Sequence, residues 1–180
     1  MKRVEIRMAG YGGQGLVLAG IILAEAALAE GLNVAQTQSY GPESRGGATR
    51  SEIIIAEGEI DYPRVLQPSI LLAMSQQAYV TYLPSLAREG VVVLDSTSVT
   101  SWTPGENVLA VPITAMAREL VGTPVVANMV ALGLVASQIG LVSAGAITEA
   151  VKRRVPRGSE EVNLKALETG FCAHRQLSIN

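Results

Sequence analysis

A run of glycines near the start of the chain, Gly10-Tyr11-Gly12-Gly13-Gln14-Gly15, sets the tightest limit on its architecture. Residues 3 to 9, Arg-Val-Glu-Ile-Arg-Met-Ala, alternate as a β-strand does. Residues 14 to 30 are rich in Leu, Ile and Ala and close on Gly31, a natural helix C-cap. A strand that turns through glycines straight into a helix begins a βαβ unit, whose parallel strands need that crossover helix. Residues 33 to 38 supply the second strand.

Gly10, Gly12 and Gly15 match the spacing G-x-G-x-x-G, in the required place between a strand and a helix. In such turns the first glycine permits the tight turn and the second lets the backbone approach a phosphate. The third lets helix and strand pack. The free N–H groups and positive end of the helix then favour an anion. A tight turn with no ligand is the plainer alternative, and the spacing leaves it open. A nicotinamide site also wants an acid at the end of strand two to bind ribose hydroxyls. That strand ends Ala35-Gln36-Thr37-Gln38-Ser39, with no carboxylate before Glu43. Gly15 is followed by Leu16-Val17, not by the lysine of a nucleoside-triphosphate loop. The turn therefore suits a phosphate, carboxylate or pyrophosphate whose sugar is read elsewhere or not at all.

Residues 39 to 47, Ser-Tyr-Gly-Pro-Glu-Ser-Arg-Gly-Gly, predict a loop, with three glycines and a proline in nine residues. Further strands are predicted at 51–56, 70–74, 91–95 and 108–111, and helices at 76–83 and 113–121. Two apolar helices joined at Gly140-Leu141-Val142-Ser143 follow, then an amphipathic helix over 159–175. The expected fold is α/β and Rossmann-like: a largely parallel sheet with helices on both faces and a helical C-terminal portion, residues 1–180 forming a single domain.

Composition narrows the function. Only 17% of the residues are charged, against about a quarter in a typical soluble domain, which points to surface covered by a partner. The net charge of −2, with no basic run beyond Lys152-Arg153-Arg154, argues against nucleic acid. The single cysteine, Cys172, cannot close a disulfide within the chain or hold an iron–sulfur cluster. Without an exporting signal, a cytoplasmic location is expected. No charge occurs between Glu119 and Glu149, but Pro124, Asn128, Gln138 and Gly140 interrupt the stretch, so buried helices are expected there and not a membrane span.

The loop after strand two should lie at the same carboxyl edge of the sheet as the glycine turn, where open α/β sheets bind ligands. Arg45 could clamp a phosphate or carboxylate there, and Glu43 could hold Arg45 or fix a partner chain. A glycine-rich surface loop with a local ion pair is the plainer reading. Asp95-Ser96-Thr97 and Ser75-Gln76-Gln77 could face the crevice or cap helices. Asn128, inside an apolar helix, must find a hydrogen-bond partner. No Ser-His-Asp set, HExxH or CxxC is present, so the chain lacks a catalytic kit of its own.

Several segments together resemble a known family: the turn at 10–15, Gln38-Ser-Tyr-Gly-Pro-Glu-Ser-Arg-Gly-Gly47, Ser51-Glu52, Ile60-Asp-Tyr-Pro63 and Asn128-Met-Val-Ala-Leu-Gly133. They look like the gamma subunit of 2-oxoacid:ferredoxin oxidoreductases, nearest the 2-oxoglutarate (KorC-type) branch. The resemblance implies a subunit of an enzyme complex. Separate alpha and beta chains would carry thiamine diphosphate and an iron–sulfur cluster, and a ferredoxin-like delta chain further clusters. The complex would decarboxylate a 2-oxoacid oxidatively, pass the acyl group to coenzyme A and send electrons to ferredoxin. The gamma chain would line the coenzyme A side of a shared site. By matching position the resemblance marks Gly12, Gly13, Gln14 and Gly15, with Tyr40, Glu43 and Arg45, as site or interface residues. A stand-alone dinucleotide-binding dehydrogenase and an assembly module with an empty glycine turn remain as alternatives.

Overall fold

In the computed structural model, which describes residues 2–40, 48–105 and 107–177, a six-stranded mixed sheet runs in the order β2-β3-β1-β4-β5-β6. The strands are β1 (Arg3–Tyr11), β2 (Asn33–Tyr40), β3 (Ala48–Ala56), β4 (Ile70–Ala73), β5 (Val91–Asp95) and β6 (Val108–Val111). The helices are α1 (Leu16–Ala29), α2 (Gln76–Tyr82), α3 (Ile113–Met116), α4 (Ala127–Ile139), α5 (Ala144–Arg154) and α6 (Glu160–Leu177). A wide π turn over Ala117–Val121 extends α3 and stops at Gly122, φ 105°.

β1, β4, β5 and β6 are parallel, as expected. β3, however, inserts between β1 and β2 and is antiparallel to both. The reason is burial. β3 carries Ile53, Ile54 and Ile55, which need cover on both faces, and all three are buried. β2 carries Gln36, Thr37, Gln38 and Ser39 and can stand at the edge. β2 also runs two residues further than its pattern suggests, through Tyr40.

Alternation along the strands separates two layers. Ile6, Met8, Ile53, Ile55, Ile70, Leu72 and Val93 face a core shared with α1, α4, α5 and α6. Ala9, Ala73, Val92 and Leu94 face a smaller one closed by Ala78 and Tyr79 of α2 and by Val99. Helices thus cover both faces, unevenly. The charge-free stretch forms α4 and the start of α5. α4 is apolar all round because it is buried from Ala127 to Ala136. Gly133 and Gly170 let α4 and α6 touch: a Cβ on Gly133 would strike the Leu167 carbonyl, and one on Gly170 that of Val130. Gly140 (φ 62°) ends α4, and Ser143 caps α5 by accepting from the Ala146 N–H. Among the described residues no helix is long and apolar enough to cross a membrane.

Candidate functional site

β1 leads through α1 to β2 on one side of the sheet, and β4 leads through α2 to β5 on the other. Strand order therefore reverses between β1 and β4, and ligands of open α/β sheets bind above such a reversal. The glycine turn stands there, and Gln14 spans the gap. Its Oε1 accepts from the Tyr11 N–H at 2.6 Å, and its Nε2 donates to the Met74 carbonyl at 3.0 Å.

The glycines divide the work differently from the spacing rule. Gly10 lies within β1 and has no positive φ. A Cβ there would strike Gln14 Oε1 and come within 3.0 Å of Leu16 Cδ1 and Met74 Cβ, so this glycine makes room for the glutamine. Gly13 takes φ 94° with open space where a Cβ would be, so backbone conformation alone demands it. Gly15 has φ 72°, and its Cβ would strike the Asn128 amide. The third glycine thus admits α4, not a strand. Asn128, which its sequence context marks as needing a partner, donates from Nδ2 to the Gly15 carbonyl at 3.2 Å.

What remains open is backbone. Gly12 and Gly13 are exposed, and Gly15 caps α1 without a side-chain acceptor. The N–H groups of the first turn of α1 have no intrahelical partner, and no acidic side chain lies in that turn. The arrangement can receive an anion at the positive end of a 14-residue helix.

The second loop starts and ends beside this turn. Tyr40 pairs with Thr49 in β3, and Thr49 pairs with Gly10 in β1. Glu43 and Arg45 lie outside the described residues, and so does the side chain of Tyr40. The weaker candidates turn out to be structural. Asp95 is fully buried, and its carboxylate accepts from the Thr97 and Thr114 N–H groups and from the Ser98 and Thr114 hydroxyls. Ser75 caps α2 through Ala78. Cys172 meets Glu168 and Arg175 on α6, beside a recess of about 340 Å³ that none of the turn residues lines. The Arg175 guanidinium, helped by the Cys172 thiol, holds the Glu168 carboxyl below its usual range. Burial pushes the His174 imidazole down, and the ring meets Gln138 Oε1 at 3.0 Å.

The alternating pattern of β1 hides one cluster. Arg3, Glu5 and Arg7 share a face that reads as solvent-facing, yet Arg7 is 5% exposed. Its Nε donates to Glu52 Oε1 at 2.7 Å, its Nη1 to Ser85 Oγ at 2.5 Å and its Nη2 to the Val65 carbonyl at 3.0 Å. Glu52 stands directly opposite it on β3. The usable sequence signal is the Glu52 carboxylate directly before the Ile53-Ile54-Ile55 run, which needs cover on both faces.

Residues 5–173 match the family model described as pyruvate ferredoxin/flavodoxin oxidoreductase. The chain belongs to this oxidoreductase family. It is 48% identical to the 2-oxoglutarate synthase subunit KorC of Methanothermobacter thermautotrophicus, over 93% of each chain. A solved keto/oxoacid ferredoxin oxidoreductase gamma subunit from Geobacter sulfurreducens is 44% identical with a TM-score of 0.86, over 96% of this chain and 99% of that one. Within the family the chain is therefore of the gamma-subunit kind, part of a 2-oxoacid:ferredoxin oxidoreductase. The fold alone also matches a solved 2-oxoglutarate:ferredoxin oxidoreductase from Magnetococcus marinus, at 21% identity and a TM-score of 0.86. That alignment covers 98% of this chain and 32% of the other.

Proposed function

We propose that this chain forms one wall of the coenzyme A and acyl-transfer site of a cytoplasmic 2-oxoglutarate:ferredoxin oxidoreductase. The observation that carries the reading is the exposed Gly12-Gly13 arch before the uncapped start of α1, set where the strand order reverses. The open space at Gly13 and the free N–H groups fit a phosphate or pyrophosphate group, of which coenzyme A has both kinds. The Magnetococcus marinus enzyme is described with 2-oxoglutarate, coenzyme A and succinyl-CoA bound, which favours this ligand. Gln14 holds the floor of the crevice by tying β1 to β4. Tyr40, Glu43 and Arg45 are assigned to the second wall, with the Arg45 guanidinium on the anion.

Among the described residues no three His, Cys, Asp or Glu gather as metal ligands. On the family likeness we assign thiamine diphosphate and iron–sulfur clusters to alpha and beta partner chains and a ferredoxin-like delta chain, with ferredoxin as acceptor. Those groups supply decarboxylation and electron transfer; this chain binds, orients and shields the acyl acceptor.

The test is reconstitution. The chain alone should be colourless and inactive. With its partners it should restore dye reduction that depends on 2-oxoglutarate and coenzyme A. In that complex Gly13→Asp, which sets a carboxylate on the arch, should raise the coenzyme A KM about tenfold, about 1.4 kcal/mol. Arg45→Ala should raise the same constant or block assembly. An unchanged KM in Gly13→Asp removes the arch from the site, and turnover by the isolated chain refutes the assignment altogether.

A further inference from the structure

The sheet face turned away from α1 carries charges that the glycine turn does not use. Ser51 and Ile53 of β3 face α1, since a Cβ on Gly20 of that helix would meet both, so Arg50 and Glu52 point the other way. Arg50 stands opposite Ala9 on β1 and Ser39 on β2. Its guanidinium lies over the Tyr82 ring, 5.8 Å from the centroid, and that of Arg7 lies over the same ring at 5.2 Å.

The two arginines are not equally satisfied. Arg7 has three partners, Glu52, Ser85 and Val65. Arg50 Nε lies 3.9 Å from Glu52 Oε2, beyond hydrogen-bond reach, and is shielded from water with no hydrogen-bond partner among the described residues. Two guanidiniums thus share one carboxylate, and the cluster carries a net charge of +1 (two positive, one negative). The Arg50 side chain is 38% exposed. Its neighbours on the same face of β2, Thr37 and Ser39, are exposed and uncharged. Arg7 also pins the segment 57–69 to this face through Val65, and that segment leaves Tyr62 50% and Leu66 65% exposed.

We propose that this face docks another subunit of the complex and that Arg50 receives a carboxylate side chain from it. The ring of Tyr82 and the carboxylate of Glu52 hold the guanidinium in place, so binding orders little that is not already ordered. A planar fork suits a bidentate carboxylate, and the positive cluster is complementary to one. A half-exposed arginine stacked on a tyrosine ring has the make-up of an interface anchor. The proposal rests on the chain working within an assembly. It is independent of the anion site at α1, whose open N–H groups belong to the other side of the sheet.

The experiment is association of the chain with its partner subunits, followed by kinetics of the saturated complex. Arg50→Gln removes the charge. Ser39→Glu leaves Arg50 in place but offers it a carboxylate from directly across the strand pair. Both should weaken association about tenfold or more and flatten its salt dependence, because an ion pair is lost. The kcat and coenzyme A KM of the saturated complex should not move. Arg50→Lys should recover part of the affinity. The proposal falls if either Arg50→Gln or Ser39→Glu associates as wild type, or if Arg50→Gln associates normally and raises the coenzyme A KM. That last result would make the guanidinium a ligand group. Weakening that only tracks loss of the native circular-dichroism spectrum also overturns it, in favour of a structural role.

Discussion

Gly13→Ala and Gly15→Ala look alike in sequence and should differ sharply in effect. At Gly13 the new methyl meets nothing within 4 Å, so the cost is that of a positive φ, about 1–2 kcal/mol. At Gly15 the same backbone cost applies, and the methyl also strikes the Asn128 amide. Asn128 is 6% exposed and donates to the Gly15 carbonyl, so displacing it adds about 1–2 kcal/mol. Gly15→Ala should therefore cost about 2–4 kcal/mol, or about 4–16 °C in Tm for a chain of this size. The two terms can be separated. Asn128→Ala alone loses the amide's bond, about 1–2 kcal/mol, while the Gly15 carbonyl keeps the Ala19 N–H. In the double variant there is no amide left to displace, so its cost should fall short of the sum by about 1–2 kcal/mol. Urea unfolding followed by circular dichroism measures all four corners of the cycle. Strict additivity, or a Gly15→Ala no worse than Gly13→Ala, would refute the account of why this glycine is required.

Two further outcomes follow from the bonding. Asp95→Ala removes the buried acceptor of four part-buried hydrogen bonds from Thr97, Ser98 and Thr114 and should lower stability by about 2 kcal/mol or more, with Asp95→Asn milder and the coenzyme A KM of the complex unchanged; a normal denaturation midpoint with an altered KM would return Asp95 to the site. Arg154 pairs with Glu25 and holds the Glu25 carboxyl below its usual range, so this pair stabilises the fold fully above the unfolded carboxyl's titration and loses its effect as pH falls through the lower folded value. Glu25→Gln should accordingly differ slightly from wild type in denaturation midpoint near neutral pH and converge with it in acid; a gap that widens in acid would reverse the sign.

The local decisions of this fold are readable along the chain. The turn at 10–15 announces a strand–helix junction because four glycines separate a strand period from a helix period, and β5 and β6 follow their Val/Leu runs. The charge-free stretch reads as buried helix because proline and glycine break it before it could span a bilayer. What the sequence hides is non-local. Which strand pairs with which depends on comparing segments, and only the contrast between Ile53-Ile54-Ile55 and Gln36-Thr37-Gln38-Ser39 tells interior from edge. The true neighbour of Gly15 is Asn128, on a helix far along the chain. Arg7 shows the same limit: a charged residue at an alternating position reads as exposed until Glu52 and Ser85 arrive from other elements to receive it.

The inserted strand also decides against reading the glycine turn as a stand-alone dinucleotide site. In a Rossmann half the strand after the first helix lies next to the first strand, so an acid at its end reaches the ribose of the nucleotide on the turn. Here β3 occupies that place and runs the other way, presenting its own start, Ala48 and Thr49, at the carboxyl edge. β2 is pushed one strand spacing further out, about 5 Å. A carboxylate at the end of β2 would therefore stand a strand too far away, and the chain has none there. The same insertion brings the two ends of the second loop, Tyr40 and Ala48, to the edge beside Tyr11, which pairs with Ala48. The edge that lost its ribose-reading position instead holds Tyr40 and Ala48 beside the glycine turn. That geometry suits a phosphate-bearing acyl acceptor shared with a partner chain better than a nucleotide held by this chain alone.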